Sequence, residues 1–244
     1  MTTLEKIQDL QNKKRQLEES LTNMGDFSKL DPDARSRFFC LADNIEQVEQ
    51  ELCYWERRAR ELTEESCLGR RFCKRTFASF EPGMFPAAYE TAKTFAESFQ
   101  FNKGEGLLLM GNPGTGKTHL AAAVANYIIE RFGIPVKFGS FIELLEDIKS
   151  RFGTDEDIAR EMISVPLLVI DDLGKEKQSS WSNSVLYRVI NGRYENYGPV
   201  IITTNEPLSA MRRNIGEATF SRIIEMCDGI RMDGKDYRMR KLEV

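Results

Sequence analysis

An eight-residue run, Gly111-Asn112-Pro113-Gly114-Thr115-Gly116-Lys117-Thr118, indicates how this chain folds. It matches the pattern G-x-x-x-x-G-K-[S/T], which binds nucleotide phosphates where it follows a strand and opens a helix. Here the apolar run Gly106–Met110 precedes it, and a helical pattern from Thr118 to Phe132 follows. The glycines let successive backbone N–H groups point at phosphate oxygens, and the start of the helix adds partial positive charge. The motif therefore predicts ATP binding, with Lys117 at the β- and γ-phosphates and the Thr118 hydroxyl on Mg²⁺.

Short apolar runs alternate with helical patterns from about Phe77 onward. The runs typical of strands are Gly106–Met110, Pro135–Gly139, Leu167–Ile170, Pro199–Thr204 and Gly229–Met232. The helical patterns between them are Thr118–Phe132, Phe141–Arg151, Asp155–Ile163 and Ser182–Tyr197. This alternation predicts an α/β domain in which a parallel five-stranded sheet is covered by helices on both faces.

Two acidic residues end the third predicted strand, Leu167-Leu168-Val169-Ile170-Asp171-Asp172. In an open parallel sheet, ligands bind beyond the carboxyl ends of the strands, where the phosphate-binding run also lies. Asp171 is then placed to hold Mg²⁺ through a bound water, and Asp172 to orient and polarise the attacking water. The next predicted strand ends at Asn205, whose amide is placed to hydrogen-bond the water or the γ-phosphate. Alternatively, the acids only cap a strand end and Asn205 only forms a turn.

Composition limits the class of protein. The chain has 244 residues, of which 41% are hydrophobic and 30% charged, so it is long enough for a full α/β core and too apolar for a disordered chain. No apolar run reaches the length that spans a bilayer, and the first residues, MTTLEKIQDLQNKKRQ, lack the apolar core of a signal peptide. We therefore expect a cytoplasmic protein without membrane contact. The net charge of −4 confines any nucleic-acid binding to local basic patches.

The first 75 residues are helical in pattern and poor in strand signals. Leucine and isoleucine recur at helical spacing before Met24-Gly25-Asp26, and a second periodic run begins at Asp31-Pro32-Asp33. These features predict a helical hairpin, which either pairs with the helices of a partner or folds against the rest of the chain. The basic residues between Arg57 and Arg75 form either a phosphate-contacting strip or a solvated face. The cysteines of this region lack the close C-x-x-C pairs of a zinc site.

The order of the motifs resembles that of the AAA+ ATPases: GNPGTGKTHLAAAVAN, then LLVIDDLG, then VIITTN, then a late pair of arginines. Within that superfamily the chain is similar to the DnaC/DnaI-type replicative helicase loaders and to the related IstB transposition helper ATPases. The resemblance implies an AAA+ domain at 76–244, preceded by a small helicase-binding helical domain with a linker at 1–75. It also implies an ATPase that self-associates with ATP and loads a hexameric, DnaB-type helicase onto single-stranded DNA during replication initiation.

The same resemblance assigns roles to three further residues. Many relatives carry glutamate at the position of Asp172, so we expect slow hydrolysis that DNA or the partner regulates. The segment Gly216–Arg222 is similar to the one that carries the arginine finger in loaders, so Arg222 would act on the ATP of a neighbouring subunit. Asp236-Tyr237-Arg238 is similar to the sensor-2 position, so Arg238 would touch the γ-phosphate of its own nucleotide. A guanidinium suits both tasks because its donors spread over phosphate oxygens, although either arginine is otherwise an ordinary surface residue.

Three residues, Lys149, Arg151 and Phe152, end the helix after the second predicted strand. Two cations beside an aromatic ring suit single-stranded DNA, because phosphates meet the charges and a base stacks on the ring. The corresponding region of the loaders resembles this one. Alternatively, Phe152 packs under the next helix while the cations stay solvated. Three functions remain open: a compact helicase loader of phage or prophage type, an IstB-like helper of a DNA transposase, and an ATP-gated adaptor whose hydrolysis is incidental.

Overall fold

The computed structural model describes residues 3–66, 68–152, 154–174, 179–234, 236–237 and 239. The chain forms two compact units, of which one is Met1–Glu61 with Glu130–Gly133 and the other is Leu62–Ile129 with Ile134–Val244. The second unit contains the phosphate-binding run and all five strands.

The segment 62–75 packs within the second unit, although the sequence groups it with the helical region at 1–75. Leu68 is buried there, and the Ser66 carbonyl accepts a hydrogen bond from the Phe138 N–H at 2.8 Å. The Asn126 side-chain amide donates to the carbonyls of Phe72 and Arg75 at 2.9 and 2.8 Å. These contacts place residues 66–75 within the second unit, after the last helix of the hairpin has ended.

The first unit contains a helical hairpin, which confirms the predicted helical region. Helix α1 (Thr3–Asn23) ends before Gly25, whose φ of +75° favours a residue without a side chain. Helix α2 (Pro32–Glu65) begins after Asp31, whose carboxylate accepts a hydrogen bond from the Ala34 N–H at 2.7 Å and so caps the helix. Leu10 and Val48 are buried in this unit. Two ion pairs join the helices at 2.9 and 2.7 Å: Lys6–Glu51 and Lys14–Glu49.

The second unit has an α/β architecture. Its strands are β1 (Gly106–Met110), β2 (Val136–Ser140), β3 (Leu167–Asp171), β4 (Val200–Thr204) and β5 (Cys227–Arg231). Its helices are α3 (Pro86–Glu97), α4 (Lys117–Phe132), α5 (Phe141–Phe152), α6 (Asp155–Ser164), α7 (Ser180–Glu195), α8 (Leu208–Ile215) and α9 (Glu217–Met226). Short 3₁₀ helices lie at Phe27–Lys29 in the first unit and at Phe77–Ser79, Pro82–Met84 and Phe99–Phe101 in the second.

The five strands form one parallel sheet in the order β2-β3-β4-β1-β5, which confirms the predicted fold class. Strand β1 lies between β4 and β5, so the loop that follows β1 emerges beside the ends of both. Because all strands are parallel, the polar residues that follow β3 and β4 reach the same edge of the sheet as that loop. The topology therefore brings the two acidic and amide-bearing strand ends to the phosphate-binding run.

Burial in the core accounts for the apolar strands that were predicted. The structure also contains helices that the sequence did not indicate. Strands β1, β3 and β4 are near-continuous apolar runs because helices cover the sheet. Helices α3, α8 and α9 were not among the predicted helices; α8 and α9 are short, and only Gly216, with φ of +86°, separates them. Among the residues that the structure describes, no helix is long and apolar enough to cross a membrane.

A buried arginine of α7 joins the end of α6 to the residues that precede β3 and β4. Arg193 of α7 is fully buried, and burial lowers its pKa to about 10. Its guanidinium donates at 2.6 to 3.2 Å to carbonyls at the end of α6 and before β3 and β4: Met162, Ile163, Val165, Pro166 and Pro199. The side chain thereby satisfies a helix C-terminus and two strand starts at once.

Candidate functional site

The phosphate-binding loop connects β1 to α4 and depends on its glycines. Gly111, Gly114 and Gly116 have φ values of +140°, +75° and +99°, which L side chains rarely adopt. A Cβ on Gly114 would lie 1.7 Å from a carboxylate oxygen of Asp236, and one on Gly116 would lie 2.9 Å from the Phe80 ring. The backbone therefore curls as the motif predicts, in the conformation that turns N–H groups inward.

The ammonium of Lys117 lies inside the curve of this loop. The side chain is only 5% exposed, and its Nζ donates to the carbonyls of Gly111 and Asn112 at 2.8 and 2.7 Å. The Thr115 hydroxyl also donates to the Asn112 carbonyl, at 2.9 Å. The positive charge is thus held where the phosphates of a bound nucleotide meet the loop, which fits the predicted role of Lys117.

A hydrogen bond between the Thr118 hydroxyl and the Asp171 carboxylate joins the loop to the end of β3. The Asp171 carboxylate accepts hydrogen bonds at one oxygen from the hydroxyls of Thr118, at 2.8 Å, and Thr203, at 2.6 Å. Burial raises the pKa of Asp171, the two hydroxyl bonds oppose that rise, and the neighbouring charges of Asp172 and Glu143 add to it. A hydroxyl and a carboxylate in contact are the hard oxygen ligands that suit Mg²⁺, so the residues present fit the metal. Thr203 was not predicted as part of this group.

Asp172 has an unusual backbone conformation that aims its side chain. Its φ is +55°, in the left-handed region, and its N–H donates to the Thr203 hydroxyl at 2.8 Å. The side-chain amide of Asn205, which follows β4, donates to the Asp172 carboxylate. The structure thus brings together Asp172 and Asn205, the two residues predicted to handle the attacking water. A non-glycine residue held in this region marks a position that the surrounding structure over-determines.

Residues 75–80, which precede α3, pack against the start of α4. The imidazole of His119 lies edge-on to the Phe80 ring at 5.3 Å between centroids, and its Nε2 donates to the Thr76 carbonyl at 3.1 Å. Burial lowers the pKa of His119. His119, which follows Thr118 on α4, therefore joins residues 75–80 to the helix that begins at the phosphate-binding loop. No sequence motif indicated this contact.

The chain after β5 returns to the phosphate-binding loop. The Tyr237 N–H donates to the Gly114 carbonyl at 3.0 Å, and the Asn112 side-chain amide donates to the Gly234 carbonyl at 3.3 Å. The Tyr237 hydroxyl donates to the carboxylate of Glu81. Arg238, the residue predicted for the γ-phosphate, lies outside the described residues, and its role stays a prediction.

Arg222 lies on α9 and packs against α7. Its Cζ is 5.3 Å from the ring centroid of Tyr187 and 5.8 Å from that of Tyr194. Its Nη1 donates to the Ala218 carbonyl one turn earlier, at 3.1 Å. The predicted action of Arg222 on a neighbouring subunit stays a prediction, because the structure contains a single chain.

The predicted DNA-contacting residues lie at the end of α5, and one of them meets an aromatic ring from another helix. The Nζ of Lys149 lies 5.4 Å from the ring centroid of Trp181 at the start of α7. Both residues line a cavity of about 250 Å³, together with Ile142 and Leu145. The side chains of Arg151 and Phe152 lie outside the described residues. Sequence reasoning missed Trp181 because α6 and β3 separate it from Lys149 along the chain.

The described residues contain no group of three or more histidine, cysteine, aspartate or glutamate side chains placed to hold a metal ion. Cys40 and Cys53 are exposed. Cys67 lies outside the described residues.

One protein family matches nearly the whole chain. Residues 11–243 match the family described as IstB-like ATP binding protein. The phage-like element PBSX protein XkdC of Bacillus subtilis is 30% identical over 187 residues, which cover 72% of this chain and 70% of XkdC. The replicative helicase loader DnaC of Escherichia coli is 29% identical over 140 residues, which are 56% of each protein. This chain thus spans little more than half the length of DnaC.

The fold also resembles a solved structure. The crystal structure of the DnaC helicase loader superposes with a TM-score of 0.61 and 31% sequence identity, covering 67% of this chain and 99% of that one. The resemblance to DnaC-type AAA+ ATPases and to IstB, drawn above from the order of motifs, is therefore confirmed.

Proposed function

Because this chain belongs to the IstB-like ATP-binding family, we propose that it is an ATP-dependent loader that places a hexameric, DnaB-type helicase onto single-stranded DNA. The observation that carries the proposal is the overlap with 99% of the DnaC helicase-loader structure at a TM-score of 0.61. Sequence identity to that structure is 31%, so the similarity extends beyond the general fold.

ATP hydrolysis follows from the residues grouped beyond β1, β3 and β4. Lys117 and the N–H groups of the loop bind the β- and γ-phosphates. Asp172, held by Asn205, orients the attacking water toward the γ-phosphate and accepts its proton. Mg²⁺ held by Thr118 and Asp171 would supply neutralisation of the negative charge that develops on the phosphate oxygens. Aspartate reaches one methylene less far than glutamate, which supports slow, regulated turnover.

Self-association would complete the site with residues from a second copy. Arg222 would stabilise the negative charge on ATP bound to the neighbouring subunit, and Arg238 would contact the γ-phosphate of its own nucleotide. Each role suits a guanidinium, which presents several donors to phosphate oxygens. The subunits would then hold together while ATP is bound and separate after hydrolysis.

Single-stranded DNA would bind at the Lys149–Trp181 pair. Trp181 is 37% exposed, and its ring would stack on a base while Lys149 supplies a charge to the phosphates. In this proposal the Trp181 ring stacks on the base, a role that the sequence analysis assigned to Phe152. Arg151 and Phe152 remain candidates for the same path.

The helicase would bind the helical hairpin of the first unit. Three phenylalanine rings, Phe27, Phe38 and Phe39, meet near its turn with centroids 5.0 to 6.3 Å apart, and Phe39 is 59% exposed. Exposed aromatic clusters are typical of protein-binding surfaces. A phage or prophage setting is consistent with similarity to XkdC of the phage-like element PBSX.

A second candidate function, a helper ATPase of a DNA transposase, is favoured by the match of residues 11–243 to the IstB-like family. The same nucleotide site would then govern assembly on duplex DNA. The two candidates differ in the partner and in the form of DNA bound, and share the ATPase chemistry.

The test is the mass of the complex formed with the replicative helicase of the host. We expect native mass spectrometry of the mixture to give a stable complex with ATP, and a much weaker one with ADP. Lys117→Ala should bind ATP poorly and lose the ATP dependence, whereas Lys103→Ala, an exposed lysine before β1, should behave as the unaltered protein. If the protein does not bind the helicase but binds duplex DNA and stimulates a transposase, the result supports the second candidate instead.

A further inference from the structure

The guanidinium of Arg222 lies close to two tyrosine rings of α7. Tyr187 and Tyr194, here called the tyrosine clamp, are seven residues apart, so they lie two turns apart on the same face of the helix. The Cζ atom of Arg222 lies 5.3 and 5.8 Å from the two ring centroids. A cation within about 6 Å of an aromatic face is attracted to it. Both rings of the clamp therefore attract the guanidinium.

A second set of contacts fixes the clamp itself. The Tyr194 hydroxyl donates to the Glu225 carboxylate at 2.7 Å, and Glu225 lies on α9 three residues after Arg222. Helix α9 thus anchors one ring of the clamp that holds its own arginine. Arg222 Nη1 donates to the Ala218 carbonyl at 3.1 Å. These bonds leave little freedom for the arginine to choose another rotamer.

The clamp contains no carboxylate that would neutralise the arginine. Within the described part of the chain, no acidic side chain pairs with Arg222, and its Nε is buried without a hydrogen-bond partner. An ion pair would fix the side chain equally well, but it would consume the charge that a phosphate needs. Aromatic rings fix the orientation and leave the full charge available.

We propose that Tyr187 and Tyr194 are positioning residues, which hold Arg222 ready for the ATP of a neighbouring copy of this chain. The inference rests on the proposed function of Arg222 in trans. Pre-orientation removes the need to order a long, flexible side chain during the reaction, so loss of the clamp should lower kcat. The KM for ATP should not change, because the clamp touches no part of the subunit's own nucleotide loop.

The test uses mixed oligomers with ATP and single-stranded DNA. An Arg222→Ala subunit can hydrolyse ATP only with a neighbour's arginine, and an Asp172→Asn subunit supplies that arginine but hydrolyses slowly. We expect an equimolar mixture to turn over faster than the sum of the two pure variants. The Asp172→Asn donor is then made with Tyr187→Leu and Tyr194→Leu, or with Tyr187→Phe and Tyr194→Phe. The leucine donor should lower kcat of the mixture at least tenfold at constant KM, and the phenylalanine donor should retain it within about threefold because the ring faces remain.

Two further measurements distinguish loss of the clamp from unfolding of the variant. The mixtures themselves distinguish it from failure of the proposed trans role of Arg222. The Arg222 Hδ resonances should shift upfield by ring currents in the phenylalanine donor and return toward ordinary values in the leucine donor. Thermal unfolding checks each donor, and Tyr187→Leu alone, at a ring that is 40% exposed, serves if the double variant unfolds. Mixtures that gain nothing from Arg222 overturn the trans role and the clamp together. Mixtures that gain equally from leucine and tyrosine donors overturn the clamp alone.

Discussion

The side-chain amide of Asn205 donates a hydrogen bond to the carboxylate of Asp172, which ties the end of β4 to the end of β3. Asp172 itself has a left-handed backbone with φ of +55°, and its N–H is held by the Thr203 hydroxyl. Two hydrogen bonds to residues at the end of β4 thus hold Asp172, while Asp171 beside it accepts a hydrogen bond from the hydroxyl of Thr118. The two adjacent carboxylates therefore have different side-chain partners: the Asn205 amide for Asp172, and the hydroxyls of Thr118 and Thr203 for Asp171.

The first prediction follows from these different partners. Asp172→Asn should slow ATP hydrolysis by about 10² to 10⁴-fold, the range for a lost general base, and leave ATP affinity within about twofold. Asparagine tolerates the left-handed conformation, so the backbone should be unchanged. Steady-state turnover and nucleotide binding measured by fluorescence check both parts. The control is Asp228→Asn, an exposed aspartate of β5. Loss of nucleotide binding in the Asp172 variant would show that the two acids share the metal.

The second prediction concerns the buried guanidinium of Arg193. Arg193→Met removes hydrogen bonds to five buried or half-buried carbonyls and should lower the free energy of unfolding by about 3 kcal/mol or more. Arg188→Met, an exposed change on the same helix, should stay within about 0.5 kcal/mol. Urea denaturation followed by circular dichroism measures both. Equal stability of the two variants would mean that the carbonyls find other partners.

A third prediction tests the DNA path. Trp181→Ala should weaken single-stranded DNA binding by about 1–3 kcal/mol, the range for one stacked base, and Lys149→Ala should reduce the salt dependence by about one phosphate. Trp55→Ala removes the other tryptophan, on α2, and should leave DNA affinity unaltered. Fluorescence anisotropy across a salt series with ATP gives both quantities. If Trp181→Ala binds as tightly as the unaltered chain, the DNA lies elsewhere.

The fourth prediction concerns thiol reactivity and its dependence on pH. Burial, and secondarily the charge of Asp228, raise the pKa of Cys227 to about 12, so at pH 8 only about one molecule in 10⁴ carries the thiolate. Exposed Cys40 and Cys53 should react with Ellman's reagent within minutes at that pH, and Cys227 should react much more slowly in the folded protein. A rise in pH increases the thiolate fraction and should speed the slow phase.

The control for this experiment is Cys227→Ser. It should lower the total thiol count in denaturant by one and leave the fast phase of the native protein unchanged. A smaller fast phase in this variant would show that Cys227 is accessible in the folded chain.

The sequence was most informative where a function needs a local pattern. The loop at Gly111–Thr118 and the acids at the end of β3 depend on neighbours along the chain, and their motif carries both geometry and chemistry. The apolar runs of β1, β3 and β4 are similarly local, because these strands are buried on both faces of a parallel sheet. The strands were predicted within one residue at each end, apart from β5, which begins two residues earlier.

Other parts of the site depend on contacts that the sequence does not encode locally. Trp181 meets Lys149 only because α5 and α7 lie side by side, and Arg222 meets Tyr187 because α9 packs on α7. Helices α8 and α9 are too short for a convincing period. The segment 62–75 reads as a continuation of the helical region, yet its partners are Phe138 and Asn126 of the second unit.

The position of β1 between β4 and β5 affects how the chain folds during synthesis. On the ribosome, β1 and its loop emerge early, but their partners β4 and β5 begin only at Val200 and Cys227. Parallel pairing over such sequence separation closes slowly. The nucleotide loop therefore gains its rigid support only after β4 and β5 have been synthesised, and ATP then stabilises the folded sheet by binding it. A nascent chain stalled before β4 would carry the whole phosphate motif and still bind no ATP.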